Sequence, residues 1–152
     1  MSPRSLFVWI FFVAALSAAP ALGQEYSEAG NLLTHLTVKG VPVTAEVVDT
    51  PEKVYLGLGH RRELPEGRGM LFLIPTLGRQ AFCMRDMLIP IDIIWIADGQ
   101  VAGIHPKLSP SDKGTFFSPV PVRLVLEVPG GFADRHGIKV GDPVALVPQL
   151  AP

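Results

Sequence analysis

Proline and glycine divide this chain into short apolar runs, and that division most constrains its fold. The 152 residues include 15 glycines and 15 prolines. Proline disrupts helix interiors, so its spacing excludes long helices over most of the chain. Runs of strand length between turn residues instead predict a mainly β protein. We expect a compact single-domain fold, either a β-sandwich or a barrel-like sheet, with one or two short helices.

Two hairpins and one helix are the clearest local predictions. Asp98-Gly99 separates two apolar runs, and this dipeptide favours a tight turn between antiparallel strands. Lys39-Gly40 stands in the same position before a segment of alternating apolar and polar residues. Asp49 or Thr50 can cap a short helix, and Gly57 ends it.

The N-terminus has the pattern of a secretory signal peptide. Arg4 precedes the apolar run Leu6–Leu16, which is too short to cross a membrane as a helix. Small residues follow and place a cleavage site after Gly23. The sequence therefore predicts a signal peptide over residues 1–23 and a periplasmic or secreted protein without stable membrane insertion after cleavage. An uncleaved anchor helix is the alternative.

The rest of the chain has the length of one ordinary domain. We expect a flexible lead-in over residues 24–35, a single β-rich domain over residues 36–148 and a tail over residues 149–152. The chain has 13 basic and 14 acidic residues and no basic cluster, so nucleic acid is not an expected partner. Its single cysteine, Cys83, excludes an intrachain disulfide.

Asp92 is the most informative charged residue because isoleucines flank it on both sides. In a strand, Asp92 shares one face with Ile94 and Ile96, and the opposite face is also apolar. An unpaired carboxylate in such a place would cost several kcal/mol or take up a proton. Asp92 therefore needs an arginine or backbone amides, and it is either a structural group or a site carboxylate in a cleft. The candidate arginines are Arg61, Arg85 and Arg123.

Three blocks, in a fixed order and spacing, resemble the bacterial and archaeal family known as domain of unknown function 192. They read VVDTPEKVYLGLGHRRELPEGRGMLFLIP, FCMRDMLIPIDIIWIADGQVAGIHP and SPVPVRLVLEVPGGFADRHGIKVGD, and the likeness covers roughly residues 36–147. The resemblance implies a compact, mainly β fold and no established activity. Arg61 matches the family pattern together with Asp92, so we favour a structural ion pair between them. Arg85 and Asp86 replace the Lys-Asn that is usual in the family, which weakens a catalytic role for either residue.

Three functions remain as hypotheses. The first is a binding or accessory module, with a small polar ligand, a glycan or an envelope protein as partner. Its shallow cleft would be bordered by five polar residues: Arg61, Arg85, Asp86, Asp92 and His105. The alternative is a cofactor-independent hydrolase or isomerase that uses Asp92 with His60 or His105. A purely structural interaction domain is the third hypothesis.

The sequence predicts no metal site and no cofactor. No two histidines share a ligand spacing. Cys83 and Met84 are adjacent on a predicted strand and point to opposite faces, so they cannot chelate Cu(I) together. We expect Cys83 to fill space in the core with the neighbouring methionines. Phe116 and Phe117 are expected to close one end of the core, although exposed aromatic residues on a loop could also bind a partner.

Overall fold

Nine strands and two short helices make up the part of the chain that the computed structural model describes, residues 23–146. The strands are β1 (Leu33–Val38), β2 (Val41–Val48), β3 (Arg68–Gly78), β4 (Ala81–Phe82), β5 (Ile91–Ala97), β6 (Gln100–Leu108), β7 (Phe116–Phe117), β8 (Val122–Pro129) and β9 (Val144–Leu146). The helices are α1 (Pro51–Leu56) and α2 (Phe132–Arg135). The predicted signal peptide, apart from Gly23, and the predicted tail lie outside the described residues.

Seven strands form one sheet in the order β6-β5-β8-β3-β2-β1-β9, while β4 and β7 pair separately. Neighbouring strands are antiparallel except β2 and β3, which are parallel. The sheet curls into a half-barrel, and its two edges meet where Val144 N donates to Gly99 O at 2.8 Å and Val101 N to Asp142 O at 2.9 Å. The prediction of a mainly β fold, sandwich or barrel-like, with one or two short helices is thus confirmed, and the sheet takes the barrel-like form.

Both predicted hairpin turns are present. Lys39 and Gly40 have φ angles of 54° and 78°, and Asp98 and Gly99 have φ angles of 51° and 69°. Positive φ at both central residues gives a twist that matches antiparallel strands. The turns therefore fix the registers of β1 with β2 and of β5 with β6.

Apolar side chains cover both faces of the sheet. The inner cluster draws on all seven strands, and Phe132 and Ala133 of α2 close one end of it. The outer cluster lies on β3, β8 and β5 and is covered by α1 and the residues after β4. Strand β5 contributes to both, because Ile93 and Trp95 belong to the outer cluster while Ile94 belongs to the inner one. This confirms that both faces of β5 are apolar.

Three local details differ from the sequence interpretation. Strand β1 begins at Leu33, inside the segment expected to be a flexible lead-in. Strand β4 has only two residues, so Cys83 lies beyond its end and is exposed. The prediction that Cys83 fills the core is therefore wrong, whereas the neighbouring Met84 is buried in the outer cluster as expected. Phe116 packs against the same cluster, but Phe117 is 57% exposed.

Candidate functional site

Asp92 is fully buried and is satisfied by backbone amides. Its Oδ1 accepts from Lys107 N and Gly131 N, both at 2.7 Å, and its Oδ2 accepts from Ala133 N at 2.8 Å. Gly131, with a φ of 82°, lets the chain bend so that the first amides of α2 face the carboxylate. The predicted ion pair between Asp92 and Arg61 is therefore wrong, since amides from β6 and α2 take the place of the arginine.

Arg61 pairs with a different acid. Its Nη2 lies 2.9 Å from Oε2 of Glu46, which also accepts from Asn31 Nδ2 at 2.8 Å and Ser27 Oγ at 2.9 Å. Burial alone raises the pKa of Glu46, but the hydrogen bonds from Arg61, Asn31 and Ser27 outweigh it and lower the pKa below its usual value. Arg61 therefore ties the exit of α1 to β2 and to the segment before β1.

Neither candidate histidine contacts Asp92. His105 Nδ1 accepts from Trp95 Nε1 at 2.8 Å, which requires a neutral ring with its proton on Nε2. Burial lowers the pKa of His105, so the neutral form is favoured. His60 is exposed, and its backbone N donates to Asp86 O at 2.8 Å. The acid–base pairing of Asp92 with His60 or His105 is therefore not formed.

The five residues of the predicted cleft do not surround one cavity. Arg85 and Asp86 border a shallow depression beside residues 110–114. Arg61 borders a different depression, next to Glu46 and Arg68. Asp92 is sealed inside the half-barrel and His105 packs among aromatic rings. The cleft prediction thus groups residues that the fold separates.

A different pocket lies on the outer face of the sheet, under the end of α1, and we call it the Glu127 pocket. It encloses about 280 Å³. Its lining is largely apolar and comes from α1 and its exit, β3, β4 and the residues after β4, with one acid from β8: Val54, Tyr55, Leu56, Gly57, Leu58, Phe72, Ala81, Phe82, Cys83, Arg85, Met87 and Glu127. Glu127 is only 5% exposed and, like the buried Leu58 and Phe72, lies at the inner end of the pocket, whereas the exposed Arg85 stands at the mouth.

The carboxyl group of Glu127 has no partner in the described part of the chain. Burial raises its pKa to about 8, and no nearby cation or hydrogen-bond donor offsets that effect. Within residues 23–146, Thr34 Oγ1 is the one fully enclosed side-chain nitrogen or oxygen without a partner. The side-chain oxygens of Glu127 are not among the fully enclosed atoms, and Glu127 lines the pocket. At neutral pH this carboxyl is mostly protonated.

The mouth of the pocket is held by contacts between α1 and the segment after β4. Arg85 Nη2 donates to Tyr55 O at 3.0 Å, and its guanidinium carbon lies 3.8 Å from the centre of the Tyr55 ring. Gly57 ends α1 with a φ of 51°, a conformation that other residues rarely adopt. The hydrogen bond from His60 N to Asp86 O joins the same two segments. These contacts give the pocket a preformed rim.

Sequence reasoning missed Glu127 for an identifiable reason. In VRLVLEVP, the alternation places Arg123, Val125 and Glu127 on one face, which reads as the solvent-facing side of a strand. In the fold, Val125 and Glu127 lie under the outer apolar cluster instead. Ile93 and Trp95 of β5 were the signal that could have revealed the burial of Glu127. Their apolar side chains lie on the same face of the sheet, so other residues must cover that face.

The described residues offer no evident cation site or membrane span. Within residues 23–146, no group of three or more histidine, cysteine or acidic side chains is placed to hold a metal ion. No helix in the same range is both long and apolar enough to cross a bilayer.

The half-barrel with its outer pocket places the chain in a class of compact, mainly β single domains. One similar solved structure is a protein of unknown function from Novosphingobium aromaticivorans DSM 12444, with 33% sequence identity and a TM-score of 0.76; the match covers 82% of this chain and 93% of that one. Another, from Sinorhizobium meliloti 1021, is described as "a putative transcription regulator"; it has 26% identity and a TM-score of 0.73, with 82% and 98% of the two chains covered.

The family follows from the sequence match. The model of the DUF192 family, described as "Uncharacterized ACR", matches residues 34–146. The chain belongs to this family, which confirms the resemblance drawn from its three sequence blocks. No curated protein matches the chain.

Proposed function

We propose that this protein is an exported binding module, periplasmic or secreted, that holds a small ligand in the Glu127 pocket. The observation that carries the proposal is a buried carboxyl without a partner at the inner end of a largely apolar pocket. Leaving such a group unpaired costs free energy that folding alone does not recover. A ligand that hydrogen-bonds the carboxyl would recover it.

The size and lining of the pocket limit the ligand. Pockets for drug-sized molecules range from about 300 to 1,000 Å³, and this one is smaller. Leu58, Phe72 and Phe82 would leave the many hydroxyl groups of a sugar without partners. Of the three partner types considered from the sequence, a small molecule with one polar end therefore fits this pocket better than a glycan.

Binding accounts for the pocket better than acid–base catalysis. Glu127 exchanges a proton near neutral pH, as a general acid or base must. A cofactor-independent hydrolase or isomerase also needs a second group placed across the substrate, and neither histidine nor a second carboxylate lines this pocket. The other ionisable groups of the lining are Tyr55, Cys83 and Arg85, and Arg85 is held against Tyr55.

Export is supported by the basic residue, apolar run and small residues that open the sequence. The test is fractionation of cells that express the chain with a C-terminal tag, followed by N-terminal sequencing. We expect the protein outside the cytoplasm, with its new N-terminus within a few residues of Gln24. Full-length protein confined to the cytoplasm would contradict the export part of the proposal.

The ligand site can be tested with a fragment set of small alkylamines, alkyl carboxylates, alcohols and sugars. We expect at least one class to shift the NMR signals of residues that line the pocket, such as Gly57 and Leu58. Cys83→Trp is the blocking variant, because Cys83 is exposed at the pocket and a larger side chain can close the mouth without disturbing the core. Asp112→Asn, in the neighbouring depression, is the matched control and should bind normally. Absence of binding by every class, or unchanged binding by Cys83→Trp, would refute the proposed site.

A further inference from the structure

We propose that the ligand of the Glu127 pocket is a primary ammonium group on a short apolar stem. This inference rests on the proposed function, because it assigns a ligand class to the same pocket. The geometry points to it in two ways. The inner end holds a single acid without a cation, and the walls between that acid and the mouth are apolar.

The inner end of the pocket selects for a positive charge. Within residues 23–146 no lysine, arginine or histidine forms an ion pair with Glu127, although six ion pairs form elsewhere in that range. In register, Met70 of β3 and Ile93 of β5 flank Glu127, and both are apolar and buried. An ammonium group that reaches Glu127 therefore meets a carboxylate with little competition from water, where ion pairs are strongest.

The walls fit a methylene stem. Phe72 and Phe82 meet edge to face, with their ring centroids 4.9 Å apart, and both line the pocket. Leu58 and Met87 add further apolar surface. These side chains can pack against methylene groups, and an aromatic face can also attract a cation. A branched or polyhydroxylated ligand would lack this complementarity.

Arg85 is the one cation of the pocket lining and stands at the mouth, where its charge would repel a cationic ligand. Its guanidinium is partly exposed, is stacked on Tyr55 and has Asp86 Oδ2 3.9 Å from its Nε. Water and the nearby acid screen a charge in this position. Arg85 is therefore expected to weaken ammonium binding only slightly and to favour ligands whose far end is anionic.

Protonation of Glu127 gives the inference a test with a definite sign. An ammonium group binds the ionised carboxylate, so Glu127 must lose its proton first. With a pKa of about 8, the ionised fraction rises by about tenfold from pH 6 to 7 and about fivefold from pH 7 to 8. A ligand that accepts a hydrogen bond from the protonated acid would instead weaken over the same range.

The experiment compares n-butylamine, n-butanol and butanoate on the purified protein, with pocket signals followed by NMR at pH 6, 7 and 8. We expect butylamine to bind tightest, with an affinity that rises about tenfold from pH 6 to 7. The carboxyl carbon signal of Glu127 should also move to its ionised position when butylamine binds at pH 6.5. Nα-acetyl-lysine N-methylamide is a further probe. If it binds tighter than butylamine, the ammonium belongs to a lysine side chain, and if it binds weaker, to a free amine.

Variants separate the contribution of the acid from the rest of the pocket. Glu127→Gln keeps the size and removes the charge, so butylamine binding and its pH dependence should be lost. Glu63→Gln makes the same change at an exposed acid outside the pocket lining and should keep both. If Glu127→Gln does not fold, the carboxyl carbon signal of the parent protein still decides the matter.

The outcomes distinguish the two proposals. Equal or tighter binding of butanol or butanoate, or an amine affinity that falls with rising pH, would overturn the ammonium inference and leave the pocket as a ligand site. Retained butylamine binding in Glu127→Gln would overturn it as well. If no probe here and no compound of the fragment set binds the pocket, the proposed function fails too.

Discussion

Replacing Asp92 with asparagine is the sharpest test of how the half-barrel is held together. Asp92 is fully buried and accepts three backbone hydrogen bonds of 2.7–2.8 Å, which join β5 to β6 and to the start of α2. Asparagine has nearly the same shape but only one acceptor oxygen. In either orientation its amide NH₂ must face at least one buried backbone N–H.

The magnitude follows from this geometry. If the oxygen of asparagine keeps the contacts with Lys107 N and Gly131 N, the hydrogen bond from Ala133 N is lost. A hydrogen bond to a charged group contributes about 1.5–3 kcal/mol, and a buried donor left without a partner costs about 1–3 kcal/mol. The neutral amide is easier to bury than a carboxylate, which offsets part of this. We expect Asp92→Asn to lower the free energy of unfolding by about 3 kcal/mol.

Urea unfolding followed by tryptophan fluorescence measures the change, because Trp95 is fully buried in the folded protein. Asp49→Asn is the matched control, since Asp49 is exposed and should change stability by less than about 0.5 kcal/mol. The reasoning about Asp92 is refuted if Asp92→Asn unfolds within about 0.5 kcal/mol of the parent with the same dependence on urea.

Four further outcomes follow from the structure. Burial raises the pKa of Glu127 to about 8 in the folded state, so the contribution of this one group to the free energy of unfolding should fall by about 1 kcal/mol per pH unit as the pH rises from about 4.5 to 8, and in urea titrations Glu127→Gln should remove that part of the pH dependence. Burial lowers the pKa of His105, so its contribution is present above about pH 6.5 and is lost on acidification; His105→Gln should lessen that loss, and an unchanged acid profile would contradict this. Arg61→Met should cost about 1 kcal/mol at pH 7 in the same assay. Its effect should fade as Glu46 takes up a proton below about pH 4.5, and an effect that persists in acid would rule out the ion pair as its cause. Cys83 is exposed, so a thiol reagent should modify it without denaturant, whereas slow labelling would indicate burial.

The sequence was sufficient for those parts of the fold that local chemistry decides. Asp98-Gly99 adopts positive φ angles at a hairpin, as its composition predicts. Thr50 caps α1, accepting from Lys53 N, and Gly57 ends the helix. In each case the residue type itself restricts the backbone, so a few neighbouring residues suffice for the prediction.

The environment of Asp92 shows where local reasoning ends. Burial between isoleucines could be read from alternation, and so could the need for a compensating group. The identity of that group could not, because the amides of Gly131 and Ala133 come from 39 and 41 residues away and reach Asp92 only through the pairing of β5 with β8. Arg61 was favoured because the resemblance associates it with Asp92, but its partner in the fold is Glu46.

The two buried acids of this sheet are neighbours in register yet differ in their bonding. Asp92 lies opposite Val128 and Glu127 lies opposite Ile93, so the acids stand on adjacent strands and face opposite sides of the sheet. On the inner side three amides satisfy Asp92 completely, which is what a carboxylate with a structural role requires. On the outer side Glu127 has the same kind of burial, no partner in the described chain and an opening to a pocket. Because folding gives the first acid three hydrogen-bond donors and the second none, we place the proposed ligand site on the outer face, at Glu127.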